Sequence, residues 1–422
     1  MGQNNNEQAQ TLILGGTLQV DSTGNHPGGV TAATGFQAGA AEAEIKYKLK
    51  KDIALIYSTV PAAAAGVFTT NRVKAAPLLV TMPRVAGGRA QAIVVNSGNA
   101  NACNGDEGVQ DAVTMAAAAA AALEVPEELV LVASTGVIGQ KMPMDRVLAG
   151  ILKAAGRISP VGGAQAAEAI MTTDTFTKEA ARQIEVNGKV VTIGGMAKGA
   201  GMIHPNMATM LCFITTDAAI AAADLDKALR HAADQSFNMI TIDRDTSTND
   251  MVVVLANGLA GNTEITSEEP AFITFQEALT GVCTSLAVAI ARDGEGATRL
   301  IQVEVRHAPT IADARLAARA VAGSNLVKAA IFGRDANWGR IICAAGYSGA
   351  NFDPGLVDIF LGDEQVTKNG CSLEFSEERA LEFLNGDSVS ITLDLKSGEA
   401  GAVAWGCDLT YDYVRINGDY RT

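Results

Sequence analysis

Apolar residues in this chain fall into short β-branched runs separated by Ala-rich stretches that stop at Pro or Gly. The runs Ile53–Ser58, Ala92–Val95, Leu129–Ser134, Val190–Gly195 and Met251–Ala256 are predicted strands, because β-branched side chains suit a pleated surface. Thr209–Thr216 reads as a further strand, and its unbroken row of Met, Leu, Cys, Phe and Ile suits one covered on both faces. Helices are predicted for Asp111–Leu123, closed by Pro126, and for 141–156, 163–171, Ala222–Gln235 and Pro270–Ala291. After Arg299 comes a strand, then a helix over Ile311–Ala322, then mostly short strands. Strands alternating with helices predict an α/β fold. A polar leader, 1–27, precedes a main domain, 28–300, and a smaller C-terminal domain, 301–422.

Composition supports a packed protein: of 422 residues, 48% are hydrophobic and 18% charged, enough to bury a large core. Aromatics make up 5%, too few for base-stacking platforms. The net charge is −14, and residues 352–422 hold 14 acids against 5 bases. That balance disfavours nucleic acid and anionic membrane as partners. The six cysteines have no C-x-x-C spacing and the four histidines no metal-ligand pattern, which suits reduced thiols in a cytoplasmic protein without a metal. There is no basic region ahead of Leu12–Leu14 to make a signal peptide, and the apolar stretch Met115–Leu123 is too short to span a bilayer.

Two glycine-rich segments invite a nucleotide reading and fail it. In Gly194–Gly199 the lysine precedes the last glycine instead of following it, and Gly199-Ala200-Gly201 lacks a third glycine. Taken alone, they are turns.

The segment MAKGAGMIHPNMATML (196–211) closely resembles the processing site of the glutamate N-acetyltransferase/ornithine acetyltransferase family. The likeness extends through GVFTTNRVKAAP (66–77), VVNSGNANAC (94–103), STGVIG (134–139), MTTDT (171–175), DTSTNDM (245–251), ARDGEGATR (291–299) and RINGDYRT (415–422). It implies a layered α/β sandwich related to self-processing N-terminal-nucleophile proteins, and autocatalytic cleavage between Ala208 and Thr209. Such cleavage makes chemical sense: a threonine hydroxyl needs a base beside it, and the α-amine freed at Thr209 titrates near about 8. The resemblance further implies that Thr209 is the nucleophile, that Thr135 and Gly136 form the oxyanion hole, and that Thr172, Lys198, Thr209, Glu295, Asn417 and Thr422 contact substrate.

By chemical type, Lys198 suits a substrate carboxylate and Glu295 an ammonium, although Glu295 could instead belong to a solvated cluster with Arg292, Asp293 and Arg299. The implied reaction moves acetyl from N-acetylornithine to glutamate through acetyl-Thr209, with no bound cofactor, in an α2β2 assembly of the two fragments. Many members of the family also accept acetyl-CoA and many do not; no residue separates the two kinds. A self-processing hydrolase, in which water resolves the Thr ester, is the alternative of the same fold class. A non-enzymatic protein that binds amino acids is the other.

Overall fold

The computed structural model describes residues 28–204 and 210–419; the leader 1–27, Ala208, Thr209 and Thr422 lie outside them. Within that range the chain forms two sheets. The first contains β1 (Phe36–Ala41), β2 (Ile53–Phe68), β3 (Arg89–Asn99), β4 (Val130–Val137), β5 (Lys178–Val186), β6 (Lys189–Lys198) and β7 (Leu211–Thr216). Next in the chain, β8 (Ile240–Thr241) leaves for the second sheet, and β9 (Met251–Ala256) returns to the first. The order is β4-β3-β2-β9-β7-β6-β5, with β1 paired to β2.

The long strand β2 explains how so wide a sheet stays continuous. Its first half pairs with β1 and its second half with β9, and the register on β3 shifts between Tyr57 and Ala62, around Pro61. Proline cannot donate to a ladder, so a shift at that position is where one is tolerated. The second sheet holds β10 (Leu300–Ala308), β11 (Asp358–Leu361), β12 (Glu364–Lys368), β13 (Cys371–Ser372), β14 (Ser388–Asp394) and β15 (Ala400–Cys407), and β8 pairs with β15 at its edge.

Helices cover both faces of the first sheet. On one face, Met115 and Ala119 of helix Gly105–Leu123 and Ile151 of helix Met144–Ala155 pack on Ile53, Val94 and Val132. Helices Ala222–Gln235 and Pro270–Arg292 cover β5, β6, β7 and β9, and that core continues into the second sheet through Ile301, Val303 and Ala404. Among the described residues, Pro270–Arg292 is the one helix that by length and composition could cross a membrane, a longer apolar segment than Met115–Leu123. Phe275, Leu279, Val282, Leu286 and Ile290 place its apolar side in that core, packed against β5 and β6.

Several predicted elements match closely, including Ala222–Gln235, Met251–Ala256 and Ile311–Ala322. The structure corrects the tail. Between and after its strands stand four helices: Asn325–Phe332, Trp338–Gly346, Glu377–Leu384 and Tyr411–Asp419. Three of them begin with a side-chain cap, at Ser324, Asn337 and Ser376. Those are the residues best able to satisfy the free N–H groups of a first turn. The predicted helix from Asp111 also starts earlier, at Gly105, with Asp106 and Glu107 in the first turn, where acids are favoured.

Candidate active site

Of the expected site residues, Thr135, Gly136, Thr172, Lys198, Glu295 and Asn417 fall among the described residues, and they lie together at one end of the first sheet. Lys198 is the last residue of β6 and pairs with Leu211, the first of β7, so β7 runs back antiparallel from a point two residues beyond Thr209. Met210 is tied to the neighbouring strand: its carbonyl accepts from Met251 N at 3.0 Å.

Thr135 and Gly136 close β4 beside a bulge in β3, where Asn99 faces both Thr135 and Val137. Gly136 has φ +134°, and a Cβ there would stand 2.3 Å from the Gly98 carbonyl carbon, so the crossing admits only glycine. Buried amides hold this turn. Asn249 donates to Ala100 O (2.6 Å) and Ser134 O (2.8 Å), and Ser134 Oγ donates to Asn96 Oδ1 (2.6 Å).

Lys198 joins the pieces. Its ammonium is buried and donates to Thr172 Oγ1 at 2.7 Å, lies 3.5 Å from Thr135 Oγ1 and sits 3.9 Å from Asp174. Burial pushes its pKa below the usual lysine range, with Lys178 adding to that and Asp174, Glu295 and Asp250 opposing it.

Behind Lys198 stands a charge cluster with no access to water. Lys178 Nζ donates to Asp174 Oδ1 (2.7 Å) and Asp293 Oδ2 (2.5 Å), all three side chains being 0–2% exposed. Asp174 also accepts from Gly199 N (2.6 Å) and Thr172 N (2.9 Å). Burial alone would raise the Asp174 carboxyl; Lys198 and Lys178 instead hold it well below the usual carboxylate range. Asp293 accepts from the Thr175 backbone N–H and hydroxyl. Neither Asp174 nor Lys178 is among the expected site residues. Asp174 lies inside the quoted MTTDT block, but nothing in the sequence shows that its partners Lys178 and Gly199 are 4 and 25 positions away.

Glu295 is buried, which removes it from any solvated cluster; Arg292 is exposed and Arg299 turns toward Asp408, 3.7 Å away. The Glu295 backbone N–H donates to Ala200 O at 2.8 Å. A Cβ at Gly201 would lie 2.6 Å from Glu295 Cδ, so the loop 199–201 presses its bare backbone against this carboxylate. Asn417, on the helix Tyr411–Asp419, donates to Glu295 Oε2 at 2.8 Å.

Asp250, next to β9, is a further buried acid that the sequence reading missed. Its Oδ2 has no hydrogen-bond partner, and burial pushes its carboxyl well up. Among the described residues no group of His, Cys, Asp and Glu is arranged to hold a metal.

The assembled side chains thus offer an ammonium, two hydroxyls and a glycine turn on one side, and a carboxylate with an amide on the other. This set can hold a small zwitterion and donate to a developing oxyanion.

The ArgJ family profile matches residues 37–422. A relative named arginine biosynthesis bifunctional protein ArgJ, from Symbiobacterium thermophilum, is 62% identical over 397 residues, covering 94% of this chain and 99% of that protein. The protein of the same name from Caldanaerobacter subterraneus subsp. tengcongensis is 54% identical over 399 residues, with the same coverage of each. A solved chain of ornithine acetyltransferase complexed with ornithine, from Mycobacterium tuberculosis, is 44% identical and covers 43% of this chain and 97% of its own, with a TM-score of 0.39. A family match over nearly the whole chain, joined to relatives at this identity, makes the protein a member of the ArgJ family.

Proposed function

We propose that the protein transfers acetyl from N-acetylornithine to glutamate through an ester on Thr209. The observation that carries this reading is Lys198, a buried ammonium bridging Thr172 and Thr135 at the sheet end where β7 begins at Leu211, two positions after Thr209 in the sequence. The arginine-biosynthesis naming of the relatives agrees with it.

In the mechanism, Thr209 first attacks the Ala208 carbonyl, and hydrolysis of that ester frees the Thr209 α-amine. The amine then takes the hydroxyl proton as Thr209 Oγ attacks the acetyl carbonyl of N-acetylornithine. The amide C–N bond breaks, ornithine leaves with that proton, and glutamate's amine takes the acetyl group in a second attack. Thr135 Oγ and the Gly136 N–H donate to the oxyanion in each step. Lys198, with Thr172, meets the substrate carboxylate, and Glu295, with Asn417, meets the ammonium of ornithine. Thr422 would complete that end.

The reading needs no metal and no bound cofactor. It makes the mature protein an association of fragments 1–208 and 209–422, paired as α2β2, acting in the cytoplasm.

Intact-mass measurement tests it. The wild-type protein should give two fragments, and brief exposure to N-acetylornithine should add one acetyl to the fragment beginning at Thr209. Glutamate should remove that acetyl as N-acetylglutamate. Thr209→Ala should remain one inactive chain. Loss of the acetyl to water at the same rate without glutamate would replace this reading with a hydrolase, and acetyl on another side chain would move the nucleophile.

A further inference from the structure

The buried acids at this end of the sheet differ in how they are answered. Asp174 accepts from Thr172 N, Gly199 N and Lys178, Asp293 from Thr175 and Lys178, and Glu295 from Asn417. Asp250 is 2% exposed, yet its Oδ2 has no partner in the protein. Among the described residues, the other buried side-chain atoms in that condition are Arg299 Nε and Thr367 Oγ1, and neither belongs to a carboxyl. A buried carboxyl oxygen left unbonded costs stability, so its place in the fold asks for a use.

Its neighbours set Asp250 in the middle of the candidate site. Met251, the next residue, donates its N–H to Met210 O at 3.0 Å, and Met210 is one position past Thr209 in the sequence. Asn249, the residue before, donates to Ser134 O at 2.8 Å, next to the Thr135–Gly136 turn. Lys198 is near enough that each charge shifts the other. The Asp250 carbonyl accepts from Thr69 N at 3.0 Å, which fastens the segment to the residue after β2.

Acyl transfer between two amines moves protons at two atoms, the oxygen of the nucleophile and the nitrogen of the substrate. The Thr209 α-amine serves the oxygen. An amide nitrogen leaves poorly until it gains a proton, and none of the groups assigned so far is placed to serve it.

We propose that Asp250 is a catalytic residue that gives a proton to the substrate nitrogen as the amide breaks and takes one when the acceptor amine attacks. The proposal rests on Thr209 being the acetyl carrier, as argued above. In the first half, the bond from Thr209 Oγ to the acetyl carbon forms, the amide C–N bond breaks, and the freed electron pair takes the Asp250 proton. The Thr209 amine, holding the hydroxyl proton, then refills the carboxylate. In net, one proton passes from the hydroxyl to ornithine. The second half runs the same path backwards: Asp250 passes its proton to the Thr209 amine and takes one from the amine of glutamate. The Thr209 ammonium returns its proton to Oγ as the ester C–O bond breaks, so no further reagent is needed.

Burial suits Asp250 to this work. It pushes the carboxyl well above its usual range, opposed by Ser247, Lys198 and Thr69, so the group keeps a proton where an ordinary carboxyl has lost it. Lys198 is the charged group facing it, and Ser247 and Thr69 are the polar ones.

Two acetyl donors test the assignment: N-acetylornithine, and its analogue with sulfur in place of the acetylated nitrogen, whose thiolate leaves without a proton. Intact mass follows acetylation of the fragment beginning at Thr209. Asp250→Asn keeps the shape of the side chain and removes its proton. It should slow acetylation by N-acetylornithine about a hundredfold, the usual loss for one acid–base group, and acetylation by the thioester analogue at most about threefold. An equal loss with both donors would make Asp250 structural and overturn the proposal, and so would no loss with either. If Asp250→Asn remains a single chain, wild type carries the test. Its kcat with N-acetylornithine should fall as pH rises through the raised Asp250 value, and its kcat with the thioester should not; parallel profiles overturn the proposal. If wild type gains acetyl from neither donor, the reading of Thr209 as carrier falls as well.

Discussion

At the end of the site built from Asp174, Lys178 and Asp293, every charge is out of water and each is answered by several partners. At the other end, the buried Glu295 carboxylate accepts from Asn417, which is carried on a helix most of whose residues are exposed. The first end is over-determined, since no single contact sets the position of Lys198. The second depends on how one short terminal helix lies. Under the proposed reading, the fixed end is the one that does chemistry and the adjustable end the one that meets the substrate's ammonium.

Four measurements would break or sharpen that contrast, and the largest effect belongs to the rigid end. Lys178→Met leaves two carboxylates buried without their shared cation and should cost about 3–5 kcal/mol in denaturant unfolding. Acid should act on the same cluster. The Asp174 pKa is depressed in the fold, so the stability it contributes is in place above the ordinary carboxylate pKa of about 3.9 and is lost as pH falls through the lower folded value. An unfolding free energy in Lys178→Met close to wild type would show that the cluster is not the anchor.

Thr135→Ala comes next, with turnover lowered by roughly two to three orders of magnitude, the usual loss for one oxyanion donor. Its melting temperature should barely move, because the buried amides of Asn249 and Asn96 hold the turn. Normal turnover would make Thr135 structural.

At the adjustable end, Asn417→Ala should raise KM for N-acetylornithine by a smaller factor, about three- to tenfold, consistent with one hydrogen bond to a charged group. Thermal stability should be unchanged. A drop in stability comparable to that of Lys178→Met would end the distinction between the two ends.

The smallest effect concerns His204, whose Nδ1 lies 2.9 Å from Thr241 Oγ1, where the loop after Lys198 meets β8. Burial, reinforced by Arg319 and Arg244, pushes its pKa down to about 4. The unfolded chain therefore binds the proton first. Its neutral-state contribution is complete above about pH 6.5 and is lost as pH falls toward 4, with a slope of at most about 1.4 kcal/mol per pH unit. His204→Gln should flatten stability over that interval, and an unaltered slope would assign the acid sensitivity elsewhere.

Much of the layered fold was legible because strong local signals agreed with the tertiary outcome. Met251–Ala256 is β-branched and apolar and lies buried between β2 and β7, and Ala222–Gln235 has helical spacing on a helix that packs one side. The C-terminal helices were not legible: Trp338–Gly346 and Tyr411–Asp419 are short, and what distinguishes them is a cap or a contact rather than a long period. The site divides the same way. Thr135, Gly136, Thr172, Lys198, Glu295 and Asn417 were reached through quoted motifs, and the structure brings them to one sheet end. Asp174, Lys178 and Asp250 were not found, because what sets them apart is burial and the pairing, or lack of it, of their charged atoms, which spacing does not carry. The run Lys46, Lys48, Lys50 and Lys51, four bases in six residues, was readable in the sequence and was masked by averaging charge over the chain.

The position of β7 has a consequence for how subunits could be shuffled. It lies between β6, which comes before the Ala208–Thr209 junction, and β9, which comes after it. A chain nicked at that junction would have a strand of one piece bonded on one edge to the other piece, over Ile193–Lys198 and Leu211–Thr216. Release would mean opening that ladder and the hydrophobic layers beneath it together, a step as slow as global unfolding. Pieces made in one molecule would therefore remain its own: mixing isotopically heavy and light protein should yield no hybrid molecules on the timescale of turnover.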